Sequence, residues 1–500
     1  MAQGVLGFHY ERVSQQSGLT GRGGLPLYLE LMAASGLGRL VERHVGVSGE
    51  RGWTDEQCVQ ALMLLNLAGG DCMDDLDILE ADEGLGRLVR AGEMHGRSRV
   101  ERRRLRRRWR GERARALPSP SAVGRWLEGF HDEADESNRV AGKAFIPAAP
   151  AGLQGLRRVN GDLLAFVGHH ARQKTATLDC DATLTETTKE EAQFCYKGFK
   201  AYQPLNVYWA ETGLVVHSEF RDGNVPAGFE KVRVLKESLE YLPPAVEKVY
   251  LRTDSAGYQA DLLQFCAKGE SERFGVIEFA VSADVTAAFR KAVGDVAEDA
   301  WQPVPGSKDH EFAEVCFVPN WAGMSRKQPE YRFLAVREPL RQLVLPGMEA
   351  AGSLPFQTME FGTKGRCKLF GMVTNRTLPG GEIIRWHRER CGKSEEVHAV
   401  MKEDLAGGRM PSKRFGANAA WWAIMILAHN LNAVMKSLVL KGSWVVKRLK
   451  ALRFALINLP GVVVRHARRL IVRLSAGHPA LDLLLSARRR IAELAQEPAG

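Results

Sequence analysis

The stretch "TLDCDATLT", residues 177–185, sets two aspartates one residue apart in a run that otherwise reads as a strand. Successive side chains of a strand point to opposite faces, so Asp179 and Asp181 share one face, while Leu178, Cys180 and Ala182 take the other. Two carboxylates on one face repel each other and are costly to bury unpaired. Something positive has to stand near them, a divalent metal or an Arg or Lys, unless the strand ends in solvent.

The segments that follow place this strand in an α/β core. "KAYQPLNVYWAETGLVVHSEFRDG" (200–223) reads as a hairpin around Glu211-Thr212-Gly213. A helix over 227–242, the strand "VEKVYLRTD" (246–254), the helix "YQADLLQFCAKG" (258–269) and the strand "FGVIEFAVS" (274–282) come next. Between about 283 and 366 the helical rhythm weakens. "HEFAEVCFVPN", "YRFLAVREP" and "RQLVLPG" read there as strands separated by Pro and Gly, a β-rich insertion. The core resumes with the strand "CKLFGMVTNR" (367–376), a helix over 380–404 and an apolar helix over 418–439.

Upstream, residues 1–95 read as helical. "TDEQCVQALMLLNLAGG" (54–70) starts on a capping box, Thr54 with Gln57, and ends on Gly69-Gly70. The acidic residues of 71–83 read as a solvated face and as helix N-terminal charges. The composition then changes abruptly: eleven arginines lie between Arg97 and Arg115 against two glutamates. Like charges repel, so this block reads as a loop or arm unless a polyanion neutralises it. Arg102, Arg103, Arg104, Arg106, Arg107 and Arg108 are its densest part, and the planar guanidinium suits phosphate. The tail "SWVVKRLKALRFALINLPGVVVRHARRLIVRL" is basic and apolar at once, which fits either a second DNA-facing element or a cationic surface over ordinary packing.

The divisions expected are a small N-terminal helical domain at 1–95, read with the Arg-rich block as the grip on a DNA end, an Arg-rich arm with linker helices at 96–171, a first core segment at 172–282 and the insertion at 283–366. A second core segment at 367–440 and a basic helical region at 441–500 complete the chain. A net charge of +10 favours a polyanionic partner, with nucleic acid the default. The eight cysteines include no CxxC pair, which excludes a zinc ribbon or finger and predicts reduced, mostly buried thiols in a cytosolic protein. No basic-then-apolar leader is seen at the N-terminus. The apolar run at 417–435 is broken by Asn418, His429, Asn430 and Asn432, so it predicts a buried helix, not a membrane span.

Asp254 stands at the C-terminal end of its strand, where sites collect in open α/β sheets, and Asp181 lies late in its own. A third acid is sought on "RWHRERCGKSEEVHAVMKED" (385–404). Glu395 and Lys402 are two helical turns apart and share a face, which Arg388 extends. That row reads either as a surface ion-pair ladder or as part of a metal site. In the second case three carboxylates converge on two divalent cations, Mg²⁺ or Mn²⁺, with the Arg and Lys side chains holding phosphates.

The set "LDCDAT" (178–183), "FKAYQPLNVYWAETGLVVHSEFRDGNVPAG" (199–228), "VYLRTDSAGY" (249–258) and "RERCGKSEEVHAVMKEDLAGGRMPS" (388–412) with "RFGANAAWWAIMILAHNLN" (414–432) resembles the DDE transposases of bacterial insertion sequences. The nearest group is the insertion sequence 1380 family. The resemblance covers 172–440 well and 20–95 loosely. It implies an RNase H-like catalytic core interrupted by a β insertion before the glutamate, in an enzyme that cuts terminal inverted repeats and joins 3′ ends to target DNA. The first aspartate of the motif matches Asp181, the second Asp254 and the glutamate Glu395, as ligands of two Mg²⁺ or Mn²⁺ ions. Asp179 becomes a neighbour of the site.

The resemblance departs at the arginine that should precede the glutamate. Cys391 occupies its place and Arg388 that of the tyrosine, or Arg390 serves with one extra residue, and Glu396 is the alternative third acid. Arg388, Arg390 and Lys402 are then DNA-binding candidates. The implied partners are double-stranded DNA and a second copy in a paired-end complex, with no membrane and no organic cofactor, in the nucleoid-associated bacterial cytoplasm. Two other readings are a non-catalytic transposase-derived DNA-binding protein and an RNase H-like nuclease without strand joining.

Overall fold

The computed structural model describes residues 17–50, 52–111, 114–140, 142–321, 331–340, 356–467 and 469–496. A ten-stranded mixed sheet forms its centre. In chain order its strands are β1 (Thr175–Ala182), β2 (Leu205–Trp209), β3 (Leu214–Glu219), β4 (Lys248–Thr253), β5 (Glu278–Ala283), β6 (Gln302–Pro303), β7 (Glu311–Val315), β8 (Arg332–Pro339), β9 (Thr358–Phe361) and β10 (Gly365–Thr374). The order across the sheet is β3-β2-β1-β4-β5-β10-β8-β7-β6, with β9 on β10. β1, β4 and β5 run parallel; β2 and β3 form the expected hairpin, and β2 pairs antiparallel with β1.

The segment read as an insertion does not stand apart. Its strands extend the central sheet, since β10 pairs antiparallel with β5 and β8 with β10. A small apolar cluster of Val304, Phe312, Leu334, Val336, Ile383 and Ile384 packs this extension. "RQLVLPG" lies outside the described residues.

The helices that matter for the site are α1 (Asp55–Ala68), α2 (Arg99–Gly111), α3 (Ala151–His170), α4 (Lys231–Glu240), α5 (Gly380–Arg388), α6 (Lys393–Ala399) and α7 (Phe415–Val434). α1 carries the expected capping box: Thr54 accepts from Gln57 N, and the Gln57 side chain accepts from Thr54 N. α7 is long and apolar enough to cross a membrane by length and composition, yet 78% of that window is buried inside the protein. The polar residues that interrupt it tie it to its neighbours. Asn430 accepts from Val215 N at 2.8 Å and donates to Asn160 Oδ1 at 2.7 Å, Tyr28 donates to Asn432 at 2.8 Å, and Asn418 donates to the Tyr202 hydroxyl at 3.1 Å. Hydrogen-bonded amides of this kind satisfy buried polar groups while fixing how a helix packs.

Three expectations are corrected. The N-terminal helices are present, but they share one apolar cluster with α3, α7 and the C-terminal helix Leu481–Gln496, so they do not enclose a core of their own. Residues 99–111 of the Arg-rich block form a helix, not a loop. Arg102, Arg103, Arg104, Arg106 and Arg107 are exposed on it, where solvent screens their mutual repulsion. The tail at 441–500 is not wholly helical. Gly461–His466 and Arg469–Leu474 pair as a hairpin beside Leu19–Thr20. In "RLIVRL" Leu470, Val472 and Leu474 take one face and Arg469 and Arg473 the other, and burial alternates along it, which is a strand pattern.

Candidate active site

β1 and β4 are neighbours in parallel, with Cys180 opposite Thr253. One step further on, Asp181 and Asp254 stand level at the C-terminal ends of the two strands. Both line one cleft of about 680 Å³, along with Gln203, Asn224, Ser255 and Ala256.

The two aspartates of the opening stretch have different fates. Asp179 is buried and ion-paired with Arg252: Nε donates to Oδ1 at 2.6 Å and Nη2 to Oδ2 at 2.8 Å. Arg252 lies opposite Asp179 in the register of β1 and β4, rests on the Trp386 ring 5.2 Å from its centroid, and donates to the Trp386 carbonyl at 2.7 Å. The bidentate fork engages both oxygens of Asp179, and Asp179 is buried and does not line the cleft.

Asp181 meets Arg390, whose Nη1 donates to Oδ2 at 3.0 Å. Burial pushes the Asp181 carboxyl up to about 6; Arg390 and Lys231 oppose that rise and the Asp254 charge adds to it. Asp254 accepts on Oδ1 from Lys231 Nζ at 3.4 Å, from Thr253 Oγ1 at 3.3 Å and from Ala256 N at 3.2 Å. No hydrogen bond to Asp254 Oδ2 is made among the described residues, and its side chain is 39% exposed to the cleft. Lys231 opens α4 behind Glu230, a residue at φ 51°, and its buried ammonium donates to Thr253 Oγ1 at 2.8 Å. Two cations thus balance two acids.

The third acid does not join them. The helix expected over 380–404 is broken: α5 ends at Arg388, α6 begins at Lys393, and Gly392 between them has φ 83°. Only glycine holds that backbone readily. Arg388 therefore does not extend the face of Glu395; it packs near Glu338 of β8. Glu395 is exposed and makes no ion pair among the described residues. Glu396 lines a different cleft, with Tyr208, Glu211 and Lys436. Later residues of the same stretch do reach the sheet: His398 lies 3.4 Å from Asn206, the partner of Asp181 in β2, and Lys402 Nζ donates to the Leu184 carbonyl at 3.4 Å. Among the described residues no three His, Cys, Asp or Glu side chains are grouped to hold a metal ion. Arg102, Arg103, Arg104, Arg106 and Arg107 are exposed on α2, remote in sequence from this cleft; the side chain of Arg108 lies outside the described residues.

Sequence reasoning missed Arg252 and Lys231. The first was within reach, because aligning Asp181 with Asp254 as the ends of two parallel strands lays Asp179 across from Arg252. Lys231 carries no periodic signal.

Two carboxylates on neighbouring strand ends, with an acceptor oxygen free toward a polar cleft, are a suitable donor set for a hard divalent cation. A family model described as "Transposase DDE domain group 1" matches residues 13–326 and 354–496, and the chain belongs to that family. DDE transposases are metal-dependent DNA-cutting enzymes. Among solved structures, the chain is similar to a piggyBac transposase in a synaptic complex with hairpin DNA, at 10% identity and a TM-score of 0.40, over 88% of this chain and 80% of that one. No curated protein matches the sequence.

Proposed function

We propose that the protein is the transposase of a bacterial insertion sequence, of the 1380 type, which binds terminal inverted repeats, cleaves the strands and joins their 3′ ends to target DNA. The observation that carries the proposal is the pair Asp181 and Asp254, level on adjacent parallel strands of a chain in the DDE family. The order β3-β2-β1-β4-β5, with β1, β4 and β5 parallel, supports an RNase H-like core around that pair.

Asp181 and Asp254 would hold Mg²⁺ or Mn²⁺, two ions in all; Glu395, apart from the pair in this structure, is the third acid proposed for the assembled complex on DNA. The ions supply Lewis-acid charge at the scissile phosphate and at the attacking oxygen. Arg390 and Lys231 stand against the two carboxylates and offset their mutual repulsion. Both cations are buried; Lys231 is pinned beneath Asp254, and Arg390 would leave Asp181 to reach a DNA phosphate. Lys402 and the arginines of α2 neutralise backbone phosphates. Paired ends require two copies, so the protein works as a homodimer on DNA, in the bacterial cytoplasm.

Strand joining tests the reading. A labelled terminal-repeat duplex, its sequence taken from the DNA flanking the gene, is incubated with a target plasmid and Mn²⁺. Covalent joining of the labelled 3′ end supports a transposase. Nicking without joining points to a nuclease, and tight repeat binding without nicking to a non-catalytic DNA-binding protein, which the separated Glu395 favours.

A further inference from the structure

Beside the acid pair the chain presents two bare aromatic rings on a pinned hairpin. Residues 193–201 fold back on themselves: Cys195 N donates to Phe199 O at 2.9 Å, Gly198 N to Cys195 O at 3.0 Å, and Ala201 N to Gln193 O at 3.0 Å. Gly198 takes φ 84° at the turn. Ala192, Cys195, Ala201 and Tyr202 anchor the base in the core. Against that rigid base, Phe194 is 63% exposed and Tyr196 77%. Each ring has a lysine by it, with Lys200 Nζ 5.9 Å from the Phe194 centroid and Lys197 Nζ 5.8 Å from that of Tyr196. Both rings line the cleft that holds Asp181 and Asp254.

Packing gives no reason for this. Exposed aromatics held on an ordered element, at the mouth of a polar cleft, mark a surface kept for a ligand. The ligand has to offer a flat apolar face to the rings and negative charge to the lysines. The acids on the cleft floor repel an anion that lacks a compensating cation, so the lysines at the rim are where its charge is first met. An unpaired nucleotide meets both requirements: its base stacks on an aromatic ring and its phosphate meets an ammonium. Intact duplex does not, because its bases already stack on one another.

We propose that Phe194 and Tyr196 form a stacking platform for an unpaired base of the DNA strand whose phosphate lies at Asp181 and Asp254. The inference rests on the transposase reading and adds a distinct property, affinity for single-stranded DNA at the cleft.

The test is binding without cleavage. Fluorescence anisotropy is read in EDTA with a dye-labelled oligo(dT) and with a blunt random-sequence duplex, on wild type, the Phe194→Ala/Tyr196→Ala double variant and the ring-keeping Phe194→Tyr/Tyr196→Phe double variant. Both pairs of changes fall on exposed side chains, and a thermal melt checks that the fold is kept. Loss of two stacking rings should weaken oligo(dT) binding roughly tenfold to a hundredfold. Duplex binding should be unchanged, and the ring-keeping variant should match wild type. Equal oligo(dT) affinity for all three proteins would overturn the proposal, as would an equal loss on both DNAs. Retained oligo(dT) binding with lost self-association in sedimentation would overturn it too, by assigning the rings to an interface between copies. Because no strand is cut in this assay, its failure leaves the strand-joining result untouched, and the reverse holds.

Discussion

Asp179 and Asp181 show how far two residues of one strand can diverge. They share a face, but Asp179 sits where β4 supplies Arg252, and Asp181 sits where β4 supplies a second acid. Register alone assigns one to structure and the other to the site. The sequence-level reading reached this split through the resemblance; the spacing of the two acids could not provide it, because a metal, an arginine and solvent all relieve paired carboxylates. The buried pair makes a sharp prediction. Arg252→Met leaves Asp179 buried without its partner, and urea unfolding should show a loss of about 3–5 kcal/mol. The double variant Arg252→Met/Asp179→Leu should recover most of it, since both charges then go together.

At the scale of elements, strands and caps were legible wherever period and turn chemistry agreed: the β2–β3 hairpin, β4 running into Asp254, and the Thr54 box. Two elements were misread for physical reasons. Residues 380–404 hold helical spacing throughout, and only Gly392 at positive φ marks the break that takes Arg388 away from Glu395. At residues 99–111 like-charge repulsion predicts an irregular segment, but arginine's good helix propensity wins. As a helix they present a compact basic surface, and this carries a prediction. Replacing Arg102, Arg103, Arg104 and Arg106 by Gln should make the salt dependence of duplex binding shallower, by up to about 0.9 in log–log slope for each DNA phosphate that is no longer neutralised. An unchanged slope would remove α2 from the DNA interface.

For the whole molecule, one core joins the N-terminal helices, α7 and the C-terminal helix around the sheet that carries the acids. That is why compositional shifts along the chain marked surface changes and not separate cores. Shared burial also sets how the protein meets acid. Burial lowers His387, His398 and His429 from the ordinary 6.5 to about 4. Each stays neutral when folded but takes a proton when unfolded, so its contribution is intact above about 6.5 and is lost as pH falls toward about 4. Burial raises Asp181 and Asp222 to about 6, with the opposite sign: their carboxyls favour the folded state in acid, and that advantage is lost as pH rises from about 4 through about 6. The two sets oppose one another. Removing one histidine should tip the balance, so the melting temperature of His429→Gln relative to wild type should rise as pH is lowered from 6.5 to 4. A difference that stays constant would mean His429 titrates normally. The central claim concerns the acids themselves. Its most direct test is nicking of the labelled terminal-repeat duplex in Mn²⁺ by wild type, Asp181→Asn, Asp254→Asn and Glu395→Gln, with repeat binding measured alongside. The account predicts nicking by wild type alone and binding by all four; nicking by Asp181→Asn, Asp254→Asn or Glu395→Gln at the wild-type rate would contradict it.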